Sequence, residues 1–119
     1  MIAIGAIIAI VACRSSQTAA PVSYLPQIQP PFTGLRSPSS VAVDKTGNIY
    51  VANLRDDQLL KAPARFHPEQ IELPFTGLDY PDDVAVDTAG NVYVTDRDNK
   101  RVLKLAAGAT TPTQLPFTD

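Results

Sequence analysis

The stretch Leu73-Pro-Phe-Thr-Gly-Leu-Asp-Tyr-Pro-Asp-Asp-Val-Ala-Val-Asp87, running on through Gly90-Asn-Val-Tyr-Val-Thr-Asp96, is one copy of a unit that occurs twice in this chain. A shift of 43 residues lays Phe32 on Phe75, Pro38 on Pro81, Asp44 on Asp87, Asn48 on Asn91, Tyr50 on Tyr93 and Lys61 on Lys104. Between residues 27–61 and 70–104, 18 of 35 pairs are identical, which accident does not produce.

Each unit reads as strands. Val41–Asp44 and Val84–Asp87 are short, apolar and β-branched, the pattern of a strand buried on both faces. Gly47 and Gly90 follow where a short hairpin needs positive φ. Ile49–Asn53 and Val92–Asp96 form the second strand, and Leu59–Ala62 and Val102–Leu105 the third. Gln27–Phe32, Gln70–Phe75 and Thr113–Thr118 are three copies of an outer strand, the first of them an orphan. A period of about 40–45 residues built of strands marks a β-propeller blade. The expected fold is all-β, with two four-stranded antiparallel blades.

A closed propeller takes about four to eight blades, so two do not complete a ring. The sequence therefore reads as part of a longer protein or as a subunit that assembles, and two blades alone are expected to be marginally stable or to self-associate. The expected division is residues 1–13 as a hydrophobic segment, 14–26 as a tether and 27–119 as repeats. Within the last, 27–32 is the orphan strand, 33–75 the first repeat and 76–119 the second.

The segment Met1–Ala12 is apolar throughout and stops at Cys13-Arg14. It is shorter than the ~20 residues that span a bilayer and matches the ~7–15 residue core of a secretory signal. Ile10-Val-Ala-Cys13 resembles a bacterial lipobox, which makes Cys13, the sole cysteine, a candidate for lipid attachment. No Lys or Arg precedes it, so the end of a transmembrane helix flanked by Arg14 is the alternative. Both readings place the repeats outside the cytoplasmic membrane. Residues 15–26, rich in Ser, Thr, Ala and Pro, suit a solvated tether. The net charge of −2, with scattered Lys and Arg, lacks the basic footprint of a nucleic-acid binder.

Pro-x-x-Val-Ala-Val-Asp, then Gly-Asn-Val-Tyr-Val-Thr-Asp, then Asn99-x-Arg101-Val102-x-Lys104 is similar to the NHL repeat, over about residues 27–119. The connecting Leu-Pro-Phe-Thr-Gly-Leu resembles the version in the extracellular sensor domain of mycobacterial-type receptor serine/threonine kinases. The resemblance implies a six-bladed propeller outside the membrane that serves as a rigid ligand or sensor platform. No kinase signature occurs in this sequence. Asp96, Asn99 and Arg101 fit the family's polar set, in which an arginine pairs with a strand-end carboxylate. Asn53, Asp56 and Gln58 hold the matching positions of the first repeat, where no such pair and a less rigid turn are expected.

Asp44 and Asp87 could aim carboxylates at a metal, but capping of the following turn is the expected role. His67, alone between Phe66 and Pro68, reads as a loop residue, and Tyr50 and Tyr93 as blade packing. No metal site or cofactor is expected. The loops that differ between repeats while the strands agree are the expected binding face. They hold Leu35, Arg36, Arg55 and Asp56 in one repeat, and Leu78, Asp79, Tyr80, Arg97, Asp98 and Asn99 in the other. The function expected is an exported, membrane-anchored binding or sensor module for a protein or small extracellular ligand, without catalysis. The alternatives are a fragment of a propeller-type lyase or lactonase, and the extracellular portion of a truncated receptor kinase.

Overall fold

Three apolar runs separated by tight turns need backbone partners that only neighbouring strands supply. In the computed structural model each repeat accordingly forms one four-stranded antiparallel sheet in simple sequence order. The structure describes residues 23, 26, 29–64 and 69–117. The first sheet contains β1 (Pro38–Val43), β2 (Ile49–Asn53), β3 (Gln58–Ala62) and β4 (Ile71–Glu72). The second contains β5 (Pro81–Val86), β6 (Val92–Asp96), β7 (Arg101–Leu105) and β8 (Thr113–Gln114). A 3₁₀ turn, Leu54–Asp56, joins β2 to β3. Among the described residues no helix is long and apolar enough to cross a membrane.

The innermost strands begin earlier than their apolar cores suggest, because Pro38 and Pro81 are their first residues. A proline is tolerated there, where its missing donor breaks no ladder, and the pairing register shifts just after it. The outer strands are shorter than expected, two residues each at Ile71–Glu72 and Thr113–Gln114. Beyond them the chain turns on itself, with Phe75 N–H donating to Leu73 O and Phe117 N–H to Leu115 O. Of the expected orphan strand Gln27–Phe32, residues 29–32 carry no strand, and Phe32 N–H instead donates to Pro30 O. Pro30 and Pro31 have no donor to offer a ladder. Cys13, the hydrophobic segment, His67 and most of the tether lie outside the described residues.

Strand alternation sorts each sheet into two faces. Ala42, Tyr50, Ala52 and Leu59 share one face of the first sheet, which packs on Val84, Val86, Val92, Val94, Leu103 and Leu105 of the second. Phe75 and Leu78, from the connector between the sheets, complete this core. Leu59 is fully buried, a contribution of about 1.5–3 kcal/mol relative to leaving it in water. The innermost strands are not buried on both faces as expected. Val41 and Val43 are 63% and 61% exposed, while their repeat equivalents Val84 and Val86 are covered by the first sheet. The difference is positional: the first sheet covers β5, whereas β1 lies open although Val51, Leu60 and Ala62 on the same face of its sheet are buried.

Candidate functional site

The strands divide the polar groups between two ends of the blades. At one end lie the β1–β2 and β5–β6 turns. Asp44 accepts from the Thr46 and Asn48 N–H groups at 2.9 and 3.0 Å, from Asn48 Nδ2 at 2.6 Å, and from the Tyr50 hydroxyl at 3.0 Å. Asp87 is bonded in the same way by Ala89, Asn91 and Tyr93. Asn48 Oδ1 and Asn91 Oδ1 then accept from Ala64 N–H and Ala107 N–H, which ties each turn to the end of the third strand. Both aspartates are therefore turn caps, as the sequence suggested. Burial raises the Asp44 carboxyl, but the hydrogen bonds from Asn48, Thr46 and Tyr50 outweigh it and hold the group well below its ordinary value. Asp87 is lowered chiefly by Asn91. Burial and the bond to Asp44 push the Tyr50 phenol up to about 12. The two tyrosines thus close a hydrogen-bonded set as well as packing the blades.

An open groove of about 280 Å³ runs between these turns, lined by Asp44, Lys45, Thr46, Tyr50, Lys61 and Asp87, among others. Its carboxylates are already committed to the turns. Among the described residues no group of three or more His, Cys, Asp or Glu side chains could hold a metal.

The opposite end carries the β2–β3 and β6–β7 turns and the connectors leading into β1 and β5. Backbone bonds weld them in pairs: Leu54 N–H donates to Ser37 O, Arg97 N–H to Tyr80 O, and Asp98 N–H to Asp79 O. The variable loops singled out from the sequence therefore do share one end. Leu35, Arg36, Arg55, Asp79, Tyr80, Arg97, Asp98 and Asn99 are exposed there, and Asp56 is half-buried. Leu78 is the exception, packed in the core at 7% exposure, because its side chain turns under the connector to meet the blade interface.

Beneath this surface a polar buttress sits at the same place in each blade. Asp96, fully buried, accepts from Asp79 N–H at 2.7 Å, Asn99 Nδ2 at 2.9 Å and Arg101 Nε at 2.6 Å. Arg101 Nη2 and Asn99 Nδ2 also donate to Gly77 O. Asn99 is thereby committed to holding the connector. In the first blade Asn53, also fully buried, accepts from the Arg36 and Ser37 N–H groups at 3.2 Å and donates to Asp56 at 2.8 Å. An arginine–carboxylate pair was not expected in this blade, yet Arg36 reaches Asp56 at 3.8 Å. It comes from the connector rather than from β3, whose Gln58 turns instead to Glu72.

Above the buttress, Tyr80 holds a left-handed backbone, φ 56°, and is 41% exposed. Its N–H donates to Asp57 Oδ1 of the first blade at 2.9 Å, and the Arg97 guanidinium stacks 5.1 Å from its ring centre. Arg97 is held in turn by Asp98 at 3.1 Å, which raises its already high pKa. Sequence reasoning missed Asp57. Its equivalent one blade on is Lys100, and both take positive φ in their turns.

The NHL repeat family matches residues 78–105. Solved structures share the fold, two lyases among them. The virginiamycin B lyase from Staphylococcus aureus superposes with a TM-score of 0.56 at 15% identity, over 69% of this chain and 28% of that one. A streptogramin B lyase gives 0.53 at 19% identity, over 78% of this chain and 28% of that one. The chain thus spans little more than a quarter of the length of these relatives, and at such identities the likeness is one of fold. No curated protein matches the chain. Residues 78–105 thus match an NHL repeat, and the two sheets share the fold of these lyases over the part that superposes.

Proposed function

We propose that this chain is a non-catalytic recognition module, presented outside the cytoplasmic membrane, that binds a protein or small extracellular ligand through the loop end of its blades. The observation that carries the reading is the Tyr80–Arg97 pair: an exposed aromatic ring with a cation stacked on it, fixed by Asp57 below and Asp98 beside. Such a pair offers flat apolar area and directed charge at little entropic cost, the combination that recurs at binding hot spots. The carboxylates at the other end are spent on turn capping, which leaves them poorly placed for acid–base work.

Anchoring through a lipid on Cys13 fits the lipobox-like Ile10-Val-Ala-Cys13, and a transmembrane segment ending at Arg14 serves the same location. The kinase-sensor resemblance of the Leu-Pro-Phe-Thr-Gly-Leu connector supports a sensor role within a larger receptor. In a bacterial host, metabolic labelling with a palmitate analogue distinguishes the anchors. Label lost in Cys13→Ala supports the lipoprotein; an unlabelled chain that remains in the membrane supports the transmembrane form.

Site-specific photocrosslinking tests the recognition face. A benzophenone amino acid placed at Tyr80 should capture a discrete envelope component, and Arg97→Ala should abolish that capture. The same probe at Thr88, on the opposite end, should capture nothing. Capture at Thr88 alone would move the site to the groove between the Asp44 and Asp87 turns. The likeness to two lyases supports a second, catalytic reading, for which consumption of a streptogramin B antibiotic by the purified chain is the direct assay.

A further inference from the structure

The two blades meet along a trough whose walls follow from strand register. Tyr50 and Lys61 are paired across β2 and β3, so their side chains share a face, and the Lys61 ammonium rests 5.4 Å from the Tyr50 ring centre. That face is turned to the second blade, which brings Lys61 to the blade boundary at the end that carries the β1–β2 and β5–β6 turns. Two hollows open there. The groove of about 280 Å³ has Lys45 and Thr46 on one side and Thr88 on the other. A second hollow, of about 140 Å³, is lined by Leu73, Pro74, Val92, Leu105, Ala106 and Ala109. Tyr50, Lys61, Gly90, Ala107 and Gly108 belong to both, so the polar and the apolar hollow form one trough with Lys61 at the join.

The charges along this trough are not equally available. Asp44 accepts from the N–H and hydroxyl of Thr46, the N–H and amide of Asn48, and the Tyr50 hydroxyl. Asp87 accepts from Ala89 N–H, the N–H and amide of Asn91, and the Tyr93 hydroxyl. A carboxylate has about four lone-pair sites, so neither has one left for a donor on a ligand. Lys45 and Lys61, by contrast, make no ion pair among the described residues. The unused polar capacity is therefore cationic. The formal charge is nonetheless balanced, two lysines against two aspartates, which disfavours a multiply charged anion and suits a single one.

We propose that the trough binds a small organic monoanion, its carboxylate on Lys61 and Lys45 and its apolar tail laid along Leu73, Pro74 and Leu105. An apolar lining with a few convergent polar groups is the usual make-up of a small-molecule site. The Thr88 hydroxyl adds a donor from the second blade. The site lies wholly between two blades of this chain, at the end opposite Tyr80 and Arg97, and does not depend on the reading of that pair. Lys104 repeats the stacking of Lys61, 5.7 Å from the Tyr93 ring centre, but lines neither hollow, and so serves as an internal control.

Ligand-observed fluorine NMR tests the proposal, with para-fluorobenzoate as the probe and the full chain in a neutral detergent. The probe signal should broaden beyond the detergent blank, with a Kd of about a millimolar for so small a ligand. Lys61→Met should weaken binding about tenfold, as loss of one charge-assisted contact does, and Lys104→Met should leave it unchanged. para-Fluorobenzyl alcohol keeps the ring without the charge, and trifluoroacetate the charge without the ring; both should bind more weakly than the probe. Ala106→Trp fills the apolar hollow and should bring para-fluorobenzoate down to the level of trifluoroacetate. No broadening above the blank overturns the proposal. So does binding that survives Lys61→Met or falls equally in Lys104→Met. Equal binding of the alcohol would overturn the ionic contact, and equal binding of trifluoroacetate the apolar one. If Lys61→Met melts well below Lys104→Met, the exposed Lys45→Met takes its place with the same expected loss.

Discussion

The Asn53 amide donates to the Asp56 carboxylate at 2.8 Å, and one blade later the same two positions hold Asp96 and Asn99 with donor and acceptor exchanged. Both arrangements leave a fully buried strand-end side chain bonded to the connector backbone, through Arg36 and Ser37 in one blade and Asp79 in the other. Asn and Asp are nearly the same shape, so the fold needs one donor and one acceptor across the turn, in either order. Asn53→Asp alone sets a buried carboxylate against Asp56 and should destabilise the chain by about 1–3 kcal/mol. Adding Asp56→Asn should restore most of the loss. Denaturant midpoints of the single and double variants measure this, and a double variant as weak as the single would refute the exchange.

The Arg101–Asp96 pair should be the more costly polar contact to break. Removing one member of a buried pair strands the other charge, at about 3–5 kcal/mol, and Arg101 is partly exposed, so Arg101→Leu belongs near the lower figure. Gln58→Leu, at the matching site, loses only a surface bond to Glu72 and should stay within about 0.5 kcal/mol of the parent. Equal effects at the two sites would contradict the assignment of the buttress.

Stability should fall off at both ends of the pH scale, for separate reasons. The Asp44 and Asp87 carboxyls are lowered from 3.8 in the folded chain, so their contribution is complete above that pH and drains away as pH falls below it. Tyr50 is raised from 10.0 to about 12, so its contribution is complete below pH 10 and is lost as pH climbs toward 12. Melting temperatures across that range should show both limbs. Asp44→Asn should flatten the acid limb and Tyr50→Phe the alkaline one.

Most of the architecture was legible because strands and turns are local. The glycine turns and the Asp44 and Asp87 caps depend on residues a few positions apart, and the 43-residue offset shows the same local pattern twice. What the sequence left hidden depends on which segments meet. Arg36 reaches Asp56 from a connector 20 residues away in the chain, and Leu78 leaves the loop surface for a core formed by both blades. Val41 and Val84 are the same residue in the same motif, yet one is open and the other covered. No local pattern separates them, since the difference lies in the neighbour.

Gly47 and Gly90 take the same role, with φ of 90° and 87°, but their surroundings differ. An added Cβ would sit 3.3 Å from Ala64 Cβ at the first and 3.5 Å from Ala107 Cβ at the second. Both alanine substitutions are strained by the positive φ, at about 1 kcal/mol or more. Gly47→Ala should cost the more of the two. Thermal melts of the two variants give the order, and the reverse order would mean that the β1–β2 turn is looser than its contacts indicate.

The central claim is that the two repeats are consecutive propeller blades, packed face to face through one shared core. Methyl-labelled NMR tests it most directly. Cross-peaks are predicted between the Ala52 and Leu59 methyls of the first blade and the Val84, Val92 and Val94 methyls of the second, because all five belong to one buried cluster. Cross-peaks confined within each blade, with none between these sets, would show two sheets that fold side by side without sharing a core, and would contradict the account.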